Sequence, residues 1–326
     1  MTAKITRLKG TVFLAYPEMT NLLLAELQDR FSFTGKKYKT YGDLIYFEDY
    51  ELDRENPQKT NPYWAKATFV EPSILTFESI GEGAGELKKI QRSWAPYFYT
   101  CFRRGQLLQE KLPYVNLKNR NFPFEFPESP IGIYTLIDEH TMLFSPKTLS
   151  SLPAGNITFN EDHENPPSRA YLKIQESLAL AHHYFNVPFP DGNSRCFEAG
   201  ACPGGWTWVL VGLGSKVFAV DRAPLADSLM NNPQVEFLAH DAFTLTPEEI
   251  GDCDWVFSDV ICYPERLLEW CRKWLESGKT KKMICTIKMQ GRVDWKLVEE
   301  FASIPDSKVV HLNYNKHELT WIHVGK

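Results

Sequence analysis

The stretch Cys196-Phe-Glu-Ala-Gly-Ala-Cys-Pro-Gly-Gly-Trp206 constrains the fold more than any other part of this chain. A short apolar strand ends in a carboxylate, Glu198, and a glycine turn follows at Gly200. Cys202 and Pro203 then lead through Gly204 and Gly205 into an apolar helix starting at Trp206. Such a strand–turn–helix element brings backbone close to a ligand at the carboxyl end of a strand. Glycine tolerates the φ that the turn needs and leaves room for the ligand. The first turn of the helix offers N–H groups that have no partner inside the helix. In open α/β sheets the crevice outside the strand carboxyl ends is where ligands bind. The glycine spacing is not Gly-x-Gly-x-x-Gly, so a dinucleotide is not the first expectation.

The surrounding sequence alternates strand and helix signals. A helix is expected over Ser168–Phe185 with Ser168 as N-cap, then strand Arg195–Ala199, helix Trp206–Leu213 and strand Lys216–Val220. Helix Ala223–Met230 and strands Val235–Leu238 and Asp254–Ser258 follow. Next come helix Pro264–Leu275, with proline at its first position, strand Lys282–Ile287 and helix Trp295–Ala302. The end reads as two strands, Lys308–Tyr314 and Glu318–Val324, joined by the turn Asn315-Lys316-His317. Repeated βα units imply an α/β fold with a mostly parallel sheet covered on both faces, and the last hairpin adds an antiparallel strand. Pro153–Pro167 is rich in Pro, Asn, Gly and acids and reads as a linker. The expected organisation is therefore a smaller α+β domain over 1–150, a linker over 151–167 and an α/β domain over 168–326. In the first domain the signals are strand Thr11–Ala15, helix Glu18–Phe31, strand Gly42–Phe47, helix Glu82–Trp94 and a hairpin of Gly132–Ile137 with Thr141–Phe144.

With 326 residues, one large or two ordinary domains are expected, and 43% apolar residues is ordinary for a folded soluble chain. No apolar run is long enough for a membrane helix, and the N-terminus lacks the apolar core of a signal peptide, so a cytoplasmic protein is expected. Seven dispersed cysteines without a C-x-x-C pair fit reduced thiols and no zinc site. His182-His183 lacks a third ligand at useful spacing, so no metal is expected. The net charge of −5 argues against bulk nucleic-acid binding and confines any such contact to local patches. Lys36-Lys37 with Lys39, Arg103-Arg104, and Lys279 with Lys281-Lys282 are candidates, with Tyr38, Tyr41, Tyr97 and Tyr99 near the first two.

Three carboxylates fall at or just after successive strand ends: Glu198, Asp221 and Asp241. An acid after the second strand is placed to accept hydrogen bonds from ribose hydroxyls. One after the third can accept from an adenine amino group, and Glu198 can pair with an α-amino group. A strand-end acid ordinarily caps a helix or faces water. Three in register with a glycine turn point instead to a nucleoside-type ligand.

Five motifs in order resemble the FtsJ-like family of S-adenosylmethionine-dependent RNA 2′-O-ribose methyltransferases. They are Ser168-Arg-Ala-Tyr-Leu-Lys-Ile-Gln-Glu176, the Gly-Ala-Cys-Pro-Gly-Gly-Trp loop, Ser258-Asp259, Ile287-Lys288-Met-Gln-Gly291 and Glu318. The loop wording, Val220–Met230 and the last strand look closest to the RlmM-type branch, which methylates cytidine in 23S ribosomal RNA. The resemblance covers about residues 166–326. It implies a Rossmann-like class I methyltransferase fold, S-adenosylmethionine as cofactor and ribosomal RNA as partner. The cofactor site would be built from Glu198, Gly200, Cys202, Pro203, Gly204, Gly205, Trp206, Asp221, Asp241 and Asp259. It also carries over a catalytic Lys-Asp-Lys-Glu tetrad onto Lys173, Asp259, Lys288 and Glu318. Two features depart from the pattern. The family usually has Asp where this chain has Glu198, and the RNA-binding THUMP domain of RlmM-like enzymes can be followed here only over Thr11–Phe31.

The residue types suit the implied chemistry. A ribose hydroxyl is a poor nucleophile, whereas a methyl on a sulfonium is displaced readily in line. The protein must therefore align the two groups and help remove a proton. The resemblance makes Lys288 the base. A lysine, ordinarily near ~10.4, does this only when burial or a like charge helps it lose its proton, and Lys173 can supply that charge. Asp259 would orient Lys288, and Glu318 would position Lys173 or the ribose. The rival expectations are a methyltransferase-like module that binds RNA or protein without turnover, a methyltransferase for another substrate and, more distantly, a nicotinamide dehydrogenase.

Overall fold

The computed structural model describes residues 3–31, 33–53 and 61–325. They form two compact units, one of Met1–Asn119 with Phe126–Thr158 and one of Arg120–Glu125 with Phe159–Lys326.

The first unit runs β1 (Lys4–Arg7), β2 (Thr11–Ala15), α1 (Thr20–Phe31), β3 (Lys39–Tyr41), β4 (Leu44–Phe47), β5 (Ala65–Phe69), β6 (Ser73–Thr76), α2 (Ile80–Ile90), β7 (Trp94–Pro96), α3 (Phe102–Lys111), β8 (Gly132–Leu136) and β9 (Thr141–Ser145). One antiparallel sheet has the order β3-β4-β2-β5. The other has the order β1-β6-β9-β8-β7, with only β7 and β8 parallel. Alternation along β8 and β9 divides the core in two. Ile133 and Leu143 face Val12, Leu14 and Leu44 of the first sheet, whereas Tyr134, Leu136, Met142 and Phe144 face Ala84 and Leu87 of α2 and Leu108 of α3. The expected hairpin over 132–144 is present as β8 and β9. Pro153–Gly155, within the expected linker, is a 3₁₀ turn with Pro153 and Ala154 buried.

The second unit runs α4 (Tyr171–Phe185), β10 (Arg195–Ala199), α5 (Gly205–Gly212), β11 (Lys216–Asp221), α6 (Asp227–Met230), β12 (Val235–Ala239), α7 (Pro247–Ile250), β13 (Trp255–Ser258), α8 (Pro264–Ser277), β14 (Lys282–Lys288), α9 (Trp295–Ser303), β15 (Ser307–Val310) and β16 (Glu318–Val324). The sheet order is β12-β11-β10-β13-β14-β16-β15. The first five of these strands are parallel, and β16 runs antiparallel between β14 and β15. This is the Rossmann-like sheet with a C-terminal hairpin that the alternation predicts. The chain steps outward from β10 to β12 and returns on the other side of β10 as β13. The crevice of such a sheet therefore opens between the carboxyl ends of β10 and β13.

Two expected helix starts are corrected. Ser168 is not the N-cap of the first helix, because α4 begins at Tyr171 with Ala170 as its cap. Ser168 lies in a tighter turn, where its carbonyl accepts from Tyr171 N at 3.4 Å. The helix expected over 223–230 is only the single turn α6. Asp221 takes the N–H of Ala223 at 3.1 Å, and Pro224 disfavours helical backbone just before it. The sequence reading also missed Arg120–Glu125 as part of this unit. Asn160 N donates to Arg120 O at 2.8 Å, and the Phe122 ring lies 5.9 Å from Phe159 and 5.6 Å from Phe189. Among the described residues no helix is long and apolar enough to cross a membrane.

Candidate active site

The tetrad positions Lys173, Asp259, Lys288 and Glu318 come from four separate places in the second unit and meet at one edge of its sheet. Asp259 directly follows β13, and its N–H donates to Ala199 O at the end of β10, at 3.3 Å. Lys288 ends β14 and stands opposite Glu318, the first residue of β16, in the antiparallel register. Lys173 lies in the first turn of α4. Its Nζ pairs with Glu318 Oε1 and lies 3.7 Å from Asp259 Oδ2. Lys288 Nζ donates to the Asp259 carbonyl oxygen at 2.6 Å and lies 3.1 Å from Asp259 Oδ1. Asp259 thus bridges two lysines while Glu318 holds one of them. The four side chains are 12–19% exposed, so the cluster is largely buried and still reaches solvent.

Glu176 is a supporting residue that sequence reasoning did not single out. It lies one turn along α4 from Lys173 and is 2% exposed. Its carboxylate accepts from Asn313 N at 2.8 Å and Tyr314 N at 3.2 Å, which ties the loop before β16 to α4. In the same loop Asn315 Nδ2 donates to Glu318 O at 3.2 Å and to Thr320 Oγ1 at 3.1 Å. The buried polar side chain thereby fixes where Glu318 begins its strand. The signal of Glu176 in the sequence is a charged residue among the buried apolar positions Leu172, Ala179 and Leu180 of α4.

The glycine loop sits beside the tetrad. Gly200 has φ +78°, and a Cβ there would come within 2.6 Å of Val260 Cγ2. Gly204 has φ +110°, and its Cβ would meet Leu229 Cδ1 at 2.3 Å. A Cβ on Gly205 would lie 2.5 Å from Ser168 Oγ. Pro203 O accepts from Ala226 N at 3.0 Å, joining the loop to the start of α6. Trp206 is 2% exposed, with its ring at 6.3 Å from that of Phe257, so its side chain belongs to the core and only its backbone can serve the loop.

The three strand-end acids differ in their surroundings. Glu198 is buried, and burial pushes its carboxyl up to about 8. A 2.6 Å hydrogen bond from Thr207 Oγ1 opposes that rise, and Asp259 and Asp221 add to it. Asp221 accepts from Cys202 N at 3.0 Å and from Ala223 N at 3.1 Å, so it holds both the glycine loop and the segment after β11. Asp241 caps the 3₁₀ turn Ala242–Thr244 through Phe243 N and pairs with Arg222 at 2.6 Å and Arg266 at 3.7 Å. Burial would raise its carboxyl, but the Phe243 N–H and the two guanidinium groups outweigh it and hold the group below the ordinary value. Asp241 thus has the cap role usual for a strand-end acid. Among the described residues no cluster of His, Cys, Asp and Glu could hold a metal ion.

The basic patches are partly built into the fold. The Lys36 ammonium lies 5.0 Å over the Phe33 ring and donates to Asp49 O at 3.1 Å, and Arg104 donates to Glu78 O at 3.2 Å. Tyr97 spends its hydroxyl on Asp43, accepting from the backbone N at 2.7 Å.

Residues 166–298, about two-fifths of the chain, match the model of the family described as FtsJ-like methyltransferase. A protein of Thauera aminoaromatica named ribosomal RNA large subunit methyltransferase M is 31% identical over 167 residues, which cover 48% of this chain and 45% of that protein. One of the same name from Xylella fastidiosa (strain 9a5c) is 32% identical over 173 residues, covering 52% and 48%. The chain thus spans about half the length of these curated relatives. Among solved structures, TrmN from Thermus thermophilus aligns over 97% of this chain and 99% of that one, at 14% identity and a TM-score of 0.33.

Proposed function

We propose that the second unit transfers a methyl group from S-adenosylmethionine to a ribose 2′-hydroxyl of RNA, with large-subunit ribosomal RNA as the substrate. One observation carries the proposal. Lys173, Asp259, Lys288 and Glu318, spread over almost half the chain, contact one another at the carboxyl edge beside the glycine loop. Two lysines and two carboxylates cross-paired in this way suit a reaction that moves one proton and aligns two reactants. Neither a dehydrogenase nor a simple binding module needs such a set.

The residues present fit S-adenosylmethionine. Glu198 is a buried carboxyl whose hydrogen bond comes from a neutral hydroxyl and whose charged neighbours are both acids. An ammonium group is the partner that its surroundings lack. Asp221 holds two backbone N–H groups and has further lone pairs for ribose hydroxyls. Asp241 would share its oxygens between an adenine amino group and the arginines already present. Bound there, the cofactor supplies an electrophilic methyl group.

The chain's own residues do the rest. Asp259 fixes Lys288 through both its side chain and its carbonyl. In this reading Lys288 accepts the hydroxyl proton and is held by Asp259 as the ammonium that results. Lys173, held by Glu318 and Asp259, stabilises charge as it develops on the ribose oxygen. Alignment of the two reactants supplies up to ~7–11 kcal/mol. The first unit recruits the RNA, as a THUMP-like or simplified module. Exposed Lys37 and Lys39 and the 46% exposed Tyr38, at the edge strand β3, support that role. With this substrate the protein would work in the cytoplasm.

The test is mass-spectrometric mapping of 2′-O-methyl nucleotides in ribosomal RNA from cells with and without the protein, together with Lys288→Ala in vitro. One modification should disappear with the protein, and the variant should bind S-adenosylmethionine but transfer no methyl group. Full activity in Lys288→Ala removes that lysine as the base. An unchanged map removes ribosomal RNA as the substrate.

A further inference from the structure

We infer that Tyr263, together with Ile261, is a shelf on which the base of the target nucleotide stacks. The inference rests on the RNA reading above and names the part of the substrate that the segment after Asp259 would hold. In Asp259-Val-Ile-Cys-Tyr-Pro264 the side chains of Ile261 and Tyr263 are 80% and 66% exposed, while Cys262 between them is 8% exposed. Tyr263 has extended backbone, with φ −66° and ψ 138°. Ile261 and Tyr263 are both turned to solvent, while Cys262 between them anchors the segment inward.

Tyr263 precedes α8 as its N-cap residue, yet its side chain makes no capping hydrogen bond. Among the described residues no ring or cation packs against the Tyr263 ring. Single exposed apolar residues are common on protein surfaces, but an exposed aromatic–aliphatic pair beside a charged cluster is a different arrangement. The segment starts at Asp259, whose carbonyl and carboxylate both hold Lys288. Four residues of chain reach at most ~14 Å, so the shelf stands no farther than that from Asp259; the Lys288 charge acts on Cys262 between the two exposed side chains. An uncharged ring accepts the face of any base, so the shelf holds the target nucleotide without choosing among bases.

The test uses the full chain and a short unmodified single-stranded RNA carrying one 2-aminopurine, whose fluorescence is quenched on stacking. Wild type and Tyr263→Phe should bind and quench it. Tyr263→Ala should bind about 5- to 100-fold more weakly, the range expected for loss of one stacked base, and quench little. S-adenosylmethionine affinity by calorimetry and the melting temperature should stay unchanged, because the side chain serves neither the cofactor loop nor the fold. Tyr263→Ala with wild-type affinity and quenching overturns the shelf, as does a wild-type chain that binds this RNA without quenching or not at all. If the exposed pair instead serves a protein partner, RNA binding will be indifferent to both variants, which also overturns it. Methyl transfer to ribosomal RNA by the wild type, measured separately, reports on the reaction itself. Quenching without transfer would leave the shelf standing and remove the enzymatic reading, and transfer with an unaltered KM for RNA in Tyr263→Ala would do the reverse.

Discussion

Glu198 is the group whose titration the fold controls most usefully, and its effect on stability can be calculated. Its ordinary value is 4.5, and burial raises it to about 8 in the folded chain. Between those values the folded carboxyl carries a proton that the unfolded chain has lost. The native state therefore binds more protons, and stability falls as pH rises, at about 1.4 kcal/mol per unit. The contribution is fully present below the unfolded value and is lost as pH passes through the folded one. Below pH 6.5 the buried imidazole of His311 works in the opposite direction. Burial lowers it from 6.5 to about 4, so the unfolded chain binds the extra proton and stability rises with pH across that range. His183 and His323 are lowered as well and add to the same trend. Above pH 8 the buried thiols Cys196, Cys253 and Cys262, raised from 9.0 to between about 11 and 12, begin to contribute a further fall.

Over about pH 6.5 to about 8 the difference between the wild type and a variant that cannot ionise at 198 isolates Glu198, because the imidazoles and thiols titrate alike in both. Over roughly 1.5 units the loss is about 2 kcal/mol, which corresponds to roughly 4–8 °C in melting temperature for a domain of this size. Glu198→Gln keeps the shape and an oxygen for the Thr207 hydroxyl but cannot ionise, so its melting temperature should lack this fall across the same interval. Circular dichroism melts of both proteins through that range decide the matter. If the glutamine variant keeps the wild-type slope, Glu198 is not the titrating group, and the account of its burial between Thr207, Asp259 and Asp221 is wrong.

Two further substitutions test the loop and its anchor. Asp221→Ala removes the acceptor for the N–H groups of Cys202 and Ala223, so S-adenosylmethionine affinity measured by calorimetry should fall by roughly 10- to 100-fold; unchanged affinity would take Asp221 out of the site. Gly200→Ala places a Cβ 2.6 Å from Val260 Cγ2 on backbone with φ +78°, so urea unfolding should show a loss of about 1–3 kcal/mol, and wild-type stability would mean that the turn relaxes without strain.

The second unit was largely legible because its strands and helices each follow one period. Arg195–Ala199 and Glu318–Val324 are strands with the bounds expected, and most other elements differ only at their ends. The misplaced starts are both local in origin, since a tighter backbone turn at Ser168 and the proline at 224 compete with the helical pattern. The first unit was less legible because its elements are short and pair over long separations. β1 pairs with β6, nearly 70 residues away, and β7 has only three residues, so neither carries enough periodic signal to be seen alone. Arg120–Glu125 could not be assigned because it has no regular structure, only rings and backbone bonds to residues far along the chain. At the site, the four tetrad positions were legible only through resemblance. A lysine on α4 and a glutamate opening β16 have no local pattern that links them, and Glu176, which ties their two elements together, acts through backbone N–H groups that no motif displays.

The glycines of the loop carry a different lesson. In the sequence they look like space left for a ligand. In the folded chain the space beside each is also filled by protein: Val260 at Gly200, Leu229 at Gly204, and Ser168 with Tyr171 at Gly205. Val260 directly follows Asp259, and Ser168–Tyr171 leads into the turn of α4 that carries Lys173. Missing side chains at 200 and 205 thus let the loop press against the two segments that deliver half of the tetrad. The loop and the catalytic positions are therefore not independent features that happen to occur together. A substitution at either glycine acts first on how Asp259 and Lys173 are presented, and a loss of activity there would be no proof of direct contact with the cofactor. Asp221, whose side chain faces the same loop through hydrogen bonds and not through packing, is the cleaner probe of cofactor binding, and Lys288 is the cleaner probe of the chemistry.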